Sequence, residues 1–161
     1  SYTNNDGISG PFVTTLTIEE DGKEYVFYIP RFLSSETSKN LDNFFNMYSP
    51  SAMSEEYMDS LYEDTPCLYV KQDTALELYH LTGKQFYKDF LKKSKNSIIK
   101  RYFDRGQEKE IIDFLQFGFF ASSSLDKFRK IADERGMAIL SAYILEELKK
   151  KAPKTTTKFT I

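Results

Sequence analysis

Between residues 12 and 29 the apolar positions repeat with a period of two. Phe12, Thr14, Leu16 and Ile18 fall on one side, and Val13, Thr15 and Thr17 on the other. Glu20-Asp21-Gly22-Lys23 comes next, and then the β-rich run Tyr25-Val26-Phe27-Tyr28-Ile29. Successive strand side chains point to opposite faces, and Asp-Gly suits the positive φ of a two-residue turn, so this stretch predicts a β-hairpin. Pro30 has no amide hydrogen to donate and ends the second strand.

Past Pro30 the period lengthens to that of a helix. Leu41, Phe44, Phe45 and Tyr48 predict a helix opened by Ser35 or Ser38 and stopped at Pro50. A second helix starts at Ser51 or Ser54, with Glu55 and Glu56 where the helix dipole favours acids and Met58 and Leu61 turned inward. Pro66 is a break, and Cys67-Leu68-Tyr69-Val70 reads as a short third strand. Thr74 and Glu77 have capping-box spacing ahead of Leu76, Leu78 and Tyr79, and Gly83 fits just past that helix. From 84 onward the pattern is helical almost to the end. Phe86, Phe90 and Leu91 make one face, and Ile98, Ile99, Tyr102 and Phe103 the next, with a stop at Arg105-Gly106. Ile111, Ile112, Phe114, Leu115, Phe119 and Phe120 are apolar nearly all round, which predicts a buried central helix. Leu125, Phe128, Ile131 and Ala132 belong to a helix ended by Gly136. Ile139, Leu140, Tyr143, Ile144 and Leu148 form the last amphipathic face, closed by Pro153.

The expected fold class is therefore α+β: an N-terminal β-hairpin, with room for a third short strand, packed on a mostly α-helical bundle. The expected core is Leu16, Ile18, Val26, Phe44, Leu76, Phe90, Ile99, Ile111, Leu115, Phe119, Phe128, Ile131, Leu140 and Ile144. Residues 1–11 are polar and read as a flexible arm, 12–150 as a single domain with a subdivision near 65, and 151–161 as a basic flexible tail. No internal repeat is evident in the residues.

Composition narrows the function classes. At 161 residues and 40% hydrophobic content, the chain can bury a core without a disulfide or a metal. One cysteine excludes a disulfide framework within the chain. The longest apolar stretch, 111–121, is about half of the ~20 residues a membrane helix needs, and the N-terminus carries no secretory pattern. The expected location is cytoplasmic, with no membrane partner. A net charge of −2 supplies no global attraction to nucleic acid.

Candidate chemistry is thin. His80 is the one histidine and Cys67 the one thiol, so a zinc site lacks donors. His80 reads as structural or surface, and Cys67 as a buried apolar residue, although a Cys67–His80 couple is conceivable. Glu55, Asp59 and Glu63 are spaced by four and share a helix face, either as acid, base or cation ligands or as a solvated acidic face. Phosphate-loop, dinucleotide and nucleophile-elbow motifs are absent. The expectation is a protein with no catalytic residues, no cofactor and no metal.

Charge distribution says more. Between Lys39 and Lys71 there is no basic residue, while Asp42, Glu55, Glu56, Asp59, Glu63 and Asp64 are present. From 84 to 105 there are eight basic residues (Lys84, Lys88, Lys92, Lys93, Lys95, Lys100, Arg101, Arg105) against Asp89 and Asp104. Phe86, Tyr87, Tyr102 and Phe103 lie among them. Basic side chains neutralise phosphates and aromatics stack on bases, so the segment is a candidate polyanion- or partner-binding face. The plainer reading puts the aromatics in the core and the lysines in solvent. In a third, the acidic face (Glu55, Glu56, Asp59, Glu63, Asp64) of one copy meets the basic face of the next.

Thr74-Ala75-Leu76-Glu77-Leu78-Tyr79, then Thr82-Gly83-Lys84-Gln85-Phe86, and later Gln107-Glu108-Lys109-Glu110-Ile111-Ile112-Asp113-Phe114-Leu115-Gln116-Phe117-Gly118-Phe119, together resemble the small tail assembly chaperones of tailed bacteriophages. The resemblance covers 74–150. It implies a non-enzymatic assembly factor in a bacterial or phage-infected cell that binds another protein or copies of itself, and it brings no catalytic residues. Nucleic-acid binding through 84–105 is the alternative.

Overall fold

The computed structural model describes residues 2–5 (as backbone), 10–47 and 54–152. Its elements are β1 (Tyr2–Asn5), β2 (Val13–Glu20), β3 (Lys23–Pro30), α1 (Ser35–Met47), α2 (Glu55–Glu63), α3 (Leu68–Thr82), α4 (Gln85–Lys93), α5 (Lys95–Asp104), α6 (Glu108–Leu115), α7 (Ser122–Glu134) and α8 (Ala138–Lys151). The fold is α+β. The chain divides into two compact units, Ser1–Ser94 and Lys95–Ile161, so the break falls well past position 65. Residues 153–161 of the expected tail lie outside the described residues.

In the first unit β2 and β3 pair antiparallel in a register that joins Glu20 to Lys23. Asp21 and Gly22 fill the turn with φ of 52° and 77°, the paired positive angles of a type I′ hairpin. The third strand is not 67–70 but β1, which pairs antiparallel with β2 on its other side. The stretch 1–11 is thus no free arm throughout, because 2–5 belong to the sheet. Leu16, Ile18 and Ile29 form a buried cluster with Phe45 and Leu61, against which Phe27, Phe44 and Met58 pack. Val26 was expected in this core and is 48% exposed. Its register partner is Thr17, so it points to the face opposite Leu16 and Ile18.

The helix starts follow local chemistry. Ser34, rather than Ser35 or Ser38, opens α1: its hydroxyl accepts the Thr37 N–H at 3.2 Å. Ser54 caps α2 by accepting from the Tyr57 N–H at 3.1 Å. Residues 68–70 belong to α3, and Thr74 sits inside it, its hydroxyl donating to the Val70 carbonyl at 2.7 Å rather than capping anything. Gly83 closes α3 in the left-handed region.

The second unit contains α5 to α8, and its core is Ile98, Ile99, Tyr102, Phe103, Ile111, Phe114, Leu115, Phe120, Leu125, Ala132, Met137, Leu140 and Ile144. The helix expected to be central, α6, contributes Ile111, Phe114 and Leu115 but keeps Asp113 in solvent. Of the other expected core positions, Phe44, Leu76, Phe90, Phe119, Phe128 and Ile131 are half-buried.

Candidate functional site

Helix α2 presents Glu55, Asp59 and Glu63 at four-residue spacing, and each has a use inside the first unit. The Asp59 carboxylate accepts the Lys84 ammonium at 2.7 Å, with Glu55 at 4.0 Å from the same nitrogen. Glu63 accepts Lys71 at 2.9 Å. Asp64 follows the helix and reaches back to α1, accepting the Ser34 hydroxyl at 2.9 Å and its N–H at 3.3 Å. Hydrogen bonds from Thr37 and Ser34 hold its carboxyl below the usual aspartate range. Glu56 is exposed. Much of the acidic run therefore meets its counter-charges within the same unit. Lys71, which the charge reading passed over, is one of the partners.

The basic run is divided between the units. Lys84, Lys88, Lys92 and Lys93 belong to the first, and Lys95, Lys100, Arg101 and Arg105 to the second. Lys84 is bound to Asp59. Lys95 donates to the Phe119 carbonyl at 3.1 Å, and Lys100 to Asp104 at 2.7 Å. Arg101 is buried, with its guanidinium 5.2 Å from the Tyr102 ring centroid. A buried guanidinium does not meet a phosphate. Lys92, Lys93 and Arg105 are exposed and Lys88 is half-buried.

Three of the four interleaved aromatics are core residues: Tyr87, Tyr102 and Phe103 are at most 5% exposed, too buried to stack on a base, while Phe86 is half-buried. Tyr87 joins Phe86 and Phe90 edge-on around Tyr62, at centroid distances of 5.3, 5.9 and 5.6 Å. Burial, then the charges of Asp59 and Glu55, push the Tyr87 hydroxyl up to about 12. Burial, followed by Glu63 and Tyr87, raises Tyr62 further. A cleft of about 450 Å³ opens beside these groups, lined by Tyr28, Met58, Lys84 and Tyr87 among others.

Cys67 is exposed rather than buried, at φ 65° immediately before α3. His80 is exposed near the other end of the same helix. At ~1.5 Å rise per residue the two lie about 20 Å apart along α3, which rules out a Cys–His couple. Among the described residues no three His, Cys, Asp or Glu side chains gather closely enough to hold a metal ion. No helix among them is long and apolar enough to cross a membrane.

A clasp in the first unit also escaped the sequence reading. The Glu77 carboxylate accepts the Phe12 N–H at 2.9 Å, and Arg31 Nε donates to the Gly10 carbonyl at 3.1 Å. Burial raises the Glu77 carboxyl, against the opposing effect of backbone hydrogen bonds from Phe12 and Val13.

The second unit uses one turn twice, a recurrence that the residues alone did not show. After α5, Gln107 N–H bonds to Tyr102 O at 2.9 Å, Gly106 N–H to Phe103 O at 3.1 Å and Arg105 N–H to Arg101 O at 3.1 Å. Thirty positions on, Met137 N–H bonds to Ala132 O at 2.8 Å, Gly136 N–H to Asp133 O at 3.3 Å and Arg135 N–H to Ile131 O at 3.0 Å. Each set is a Schellman helix end, with Gly106 (φ 63°) or Gly136 (φ 71°) in the left-handed position. The next helix then starts at the same step, through Ile111 N–H to Gln107 O and Ser141 N–H to Met137 O, both 3.0 Å. Helices α5–α6 and α7–α8 are thus joined by the same turn.

Side chains join the two helix pairs. Arg135 Nη1 donates to the Phe103 carbonyl in the last turn of α5 at 2.7 Å. Glu108 Oε1 accepts the N–H of Leu140 in the first turn of α8 at 2.8 Å. The second satisfies an amide that the start of α8 leaves without an intrahelical partner, and the first adds to a carbonyl that already accepts the Gly106 N–H. Position 145 lies the same thirty places beyond 115. Leu115 is 7% exposed and Leu145 is 44% exposed. Ile139 is 71% exposed, and Ala138 and Ala142 are exposed with it. At spacings of three and four these residues form an apolar stripe along α8.

Comparison with protein-family models, with curated proteins and with solved structures returned no match.

Proposed function

We propose that this chain is a non-enzymatic protein-interaction module that acts in assembly. The observation that carries the reading is the pair of helical hairpins ending in the apolar stripe of α8. Stacked hairpins bury a shared core between neighbours and leave their outer faces to partners. An exposed stripe containing Ile139 and Leu145 is costly in water unless another surface covers it. The internal use of Asp59, Glu63, Lys84 and Lys95 supports the same reading, because these charges are engaged within the fold rather than offered to a polyanion or to acid–base chemistry. A tail-assembly chaperone is the finer form of the proposal.

The test is capture of the tagged chain from its native extract, with and without nuclease, read by mass spectrometry and by absorbance at 260 and 280 nm. A discrete protein partner that survives nuclease and is lost in the Leu145→Glu variant supports the proposal. Nuclease-sensitive material absorbing at 260 nm, lost on neutralising Lys92, Lys93 and Arg105, would replace it with nucleic-acid binding.

A further inference from the structure

The sheet of the first unit ends at β3, whose outer edge has no neighbouring strand among the described residues. We propose that this edge, between Tyr25 and Tyr28, is a docking site for an extended peptide of a partner protein, added as a further strand and carrying a basic side chain two positions from an apolar one. This surface is separate from α8, and the proposal stands whether or not α8 binds a partner.

The main chain selects the kind of ligand. In an antiparallel pair, residues that exchange bonds with the partner strand alternate with residues whose N–H and C=O point away from it. The two-residue turn makes Glu20 and Lys23 an exchanging pair, and the bond from Arg31 N–H to Phe12 O at 3.0 Å keeps the same phase at the other end. Tyr25 and Phe27 therefore bond to Ile18 and Leu16, while the N–H and C=O of Val26 and of Tyr28 point off the open edge. Among the described residues nothing pairs with these groups. Alternating donors and acceptors at this spacing match another extended backbone. Edges are ordinarily guarded by charge or proline. Here Lys23, Glu24 and Pro30 guard the two ends, and Tyr25-Val26-Phe27-Tyr28 between them contains neither. The 48% exposure of Val26 has the same origin, since no strand lies beyond β3 to cover it.

The surroundings set the side chains. The cleft of about 450 Å³ lies along this edge, lined by Val26, Phe27 and Tyr28 of β3 together with Glu55 and Met58 of α2 and Lys84. Phe27 and Met58 pack against the same buried cluster and give the cleft an apolar wall. Glu55 is one helical turn from Met58 on the same face of α2, about 5–6 Å away. Side chains two positions apart on a strand share a face at about 6.6 Å, so one that meets Met58 has a neighbour that meets Glu55. Charge makes that neighbour basic. Two carboxylates, Glu55 and Asp59, share one ammonium, Lys84, which sits 2.7 Å from Asp59 and 4.0 Å from Glu55. The Glu55 side chain is 85% exposed and carries the negative charge that is left over.

The test adds a labelled, end-capped peptide, Thr-Val-Thr-Lys-Thr-Val, to the full chain at up to about 1 mM protein and reads binding by fluorescence anisotropy. Hydrogen exchange by NMR then locates it. The amides of Val26 and Tyr28 should exchange freely in the chain alone and become protected in the complex, while those of Tyr25 and Phe27 are protected in both. Val26→Pro removes an outward N–H and spares the bonds to β2, at a place where an edge strand tolerates proline. It should weaken binding by at least about tenfold, with an unchanged circular dichroism spectrum. Glu55→Lys, on an exposed side chain, serves where the proline disturbs the sheet. It should weaken binding about three- to tenfold and reverse the preference toward a peptide with glutamate in place of lysine. No binding at about 1 mM overturns the proposal. So does binding that leaves the Val26 and Tyr28 amides unprotected, or equal binding of the lysine and glutamate peptides. Protection of those amides in the chain alone, lost on dilution, would make the occupant a second copy and overturn it as well. None of these outcomes bears on α8.

Discussion

Replacing Glu108 with alanine removes the acceptor of the Leu140 N–H, which it holds at 2.8 Å between the two hairpins. Leu140 is 0% exposed, so water reaches its amide poorly once the carboxylate is gone. A buried donor left without a partner costs about 1–3 kcal/mol. Glu108 also lies in the first turn of α6, where loss of a negative charge costs about 0.3–1 kcal/mol. Together these give about 1.3–4 kcal/mol against the seating of α8 on the first hairpin. Native-state hydrogen exchange in the full chain reads this directly. At 1.4 kcal/mol per decade, the Leu140 amide should exchange about 10- to 700-fold faster in the variant. Amides of the first unit, such as that of Leu91, should keep their rates. Glu108→Gln keeps an oxygen in place and should lose less than about 1 kcal/mol. Unchanged protection of Leu140 in Glu108→Ala would refute the idea that this bond joins the hairpins.

Other perturbations address the first unit. A Cβ on Gly10 would lie 2.8 Å from Glu77 Oε1 at a backbone φ of +112°. Gly10→Ala should therefore lower stability by about 1–3 kcal/mol, seen as a fall in Tm. The Tyr62 hydroxyl is buried with no hydrogen-bond partner among the described residues. Tyr62→Phe should thus leave Tm unchanged or raise it, since it removes an unsatisfied group and keeps the ring contacts; a clear loss would reveal a partner for that oxygen. Thr37 and Ser34 lower the Asp64 carboxyl below its ordinary 3.8. The folded state then binds the proton more weakly than the unfolded one, so the Asp64 contribution is present above about pH 4 and is lost as pH falls through the lowered value. An NMR titration should find that value below 3.8 in the native protein and moved upward in Ser34→Ala.

What the sequence made legible was what local chemistry decides. Asp21-Gly22 marked the hairpin because the turn needs two positive φ angles. Ser54, Gly83, Gly106 and Gly136 marked helix ends because caps and left-handed residues are local requirements. Tertiary context decided the rest. The β-prone run 68–70 is helical because it continues into a helix that extends to Thr82. Strand β1 has no alternating apolar pattern and joins the sheet by backbone pairing along β2, which leaves no mark on side-chain periodicity. The separation of acidic and basic segments looked like two external faces. In the fold it is partly the trace of pairs such as Asp59–Lys84, twenty-five positions apart. The recurring turn stayed hidden because it lies in hydrogen bonds. Few residues are shared between its two occurrences besides Arg105-Gly106 and Arg135-Gly136.

The most direct measurement places a photo-cross-linking benzoyl-phenylalanine at Ile139, in the apolar stripe, and illuminates the chain in nuclease-treated native extract. The same group at Lys127, exposed on α7, serves as the reference. The expected result is a discrete protein adduct from position 139, with little or none from 127. No adduct at 139, or equal adducts at both positions, would contradict the claim that α8 presents the surface through which this protein binds others.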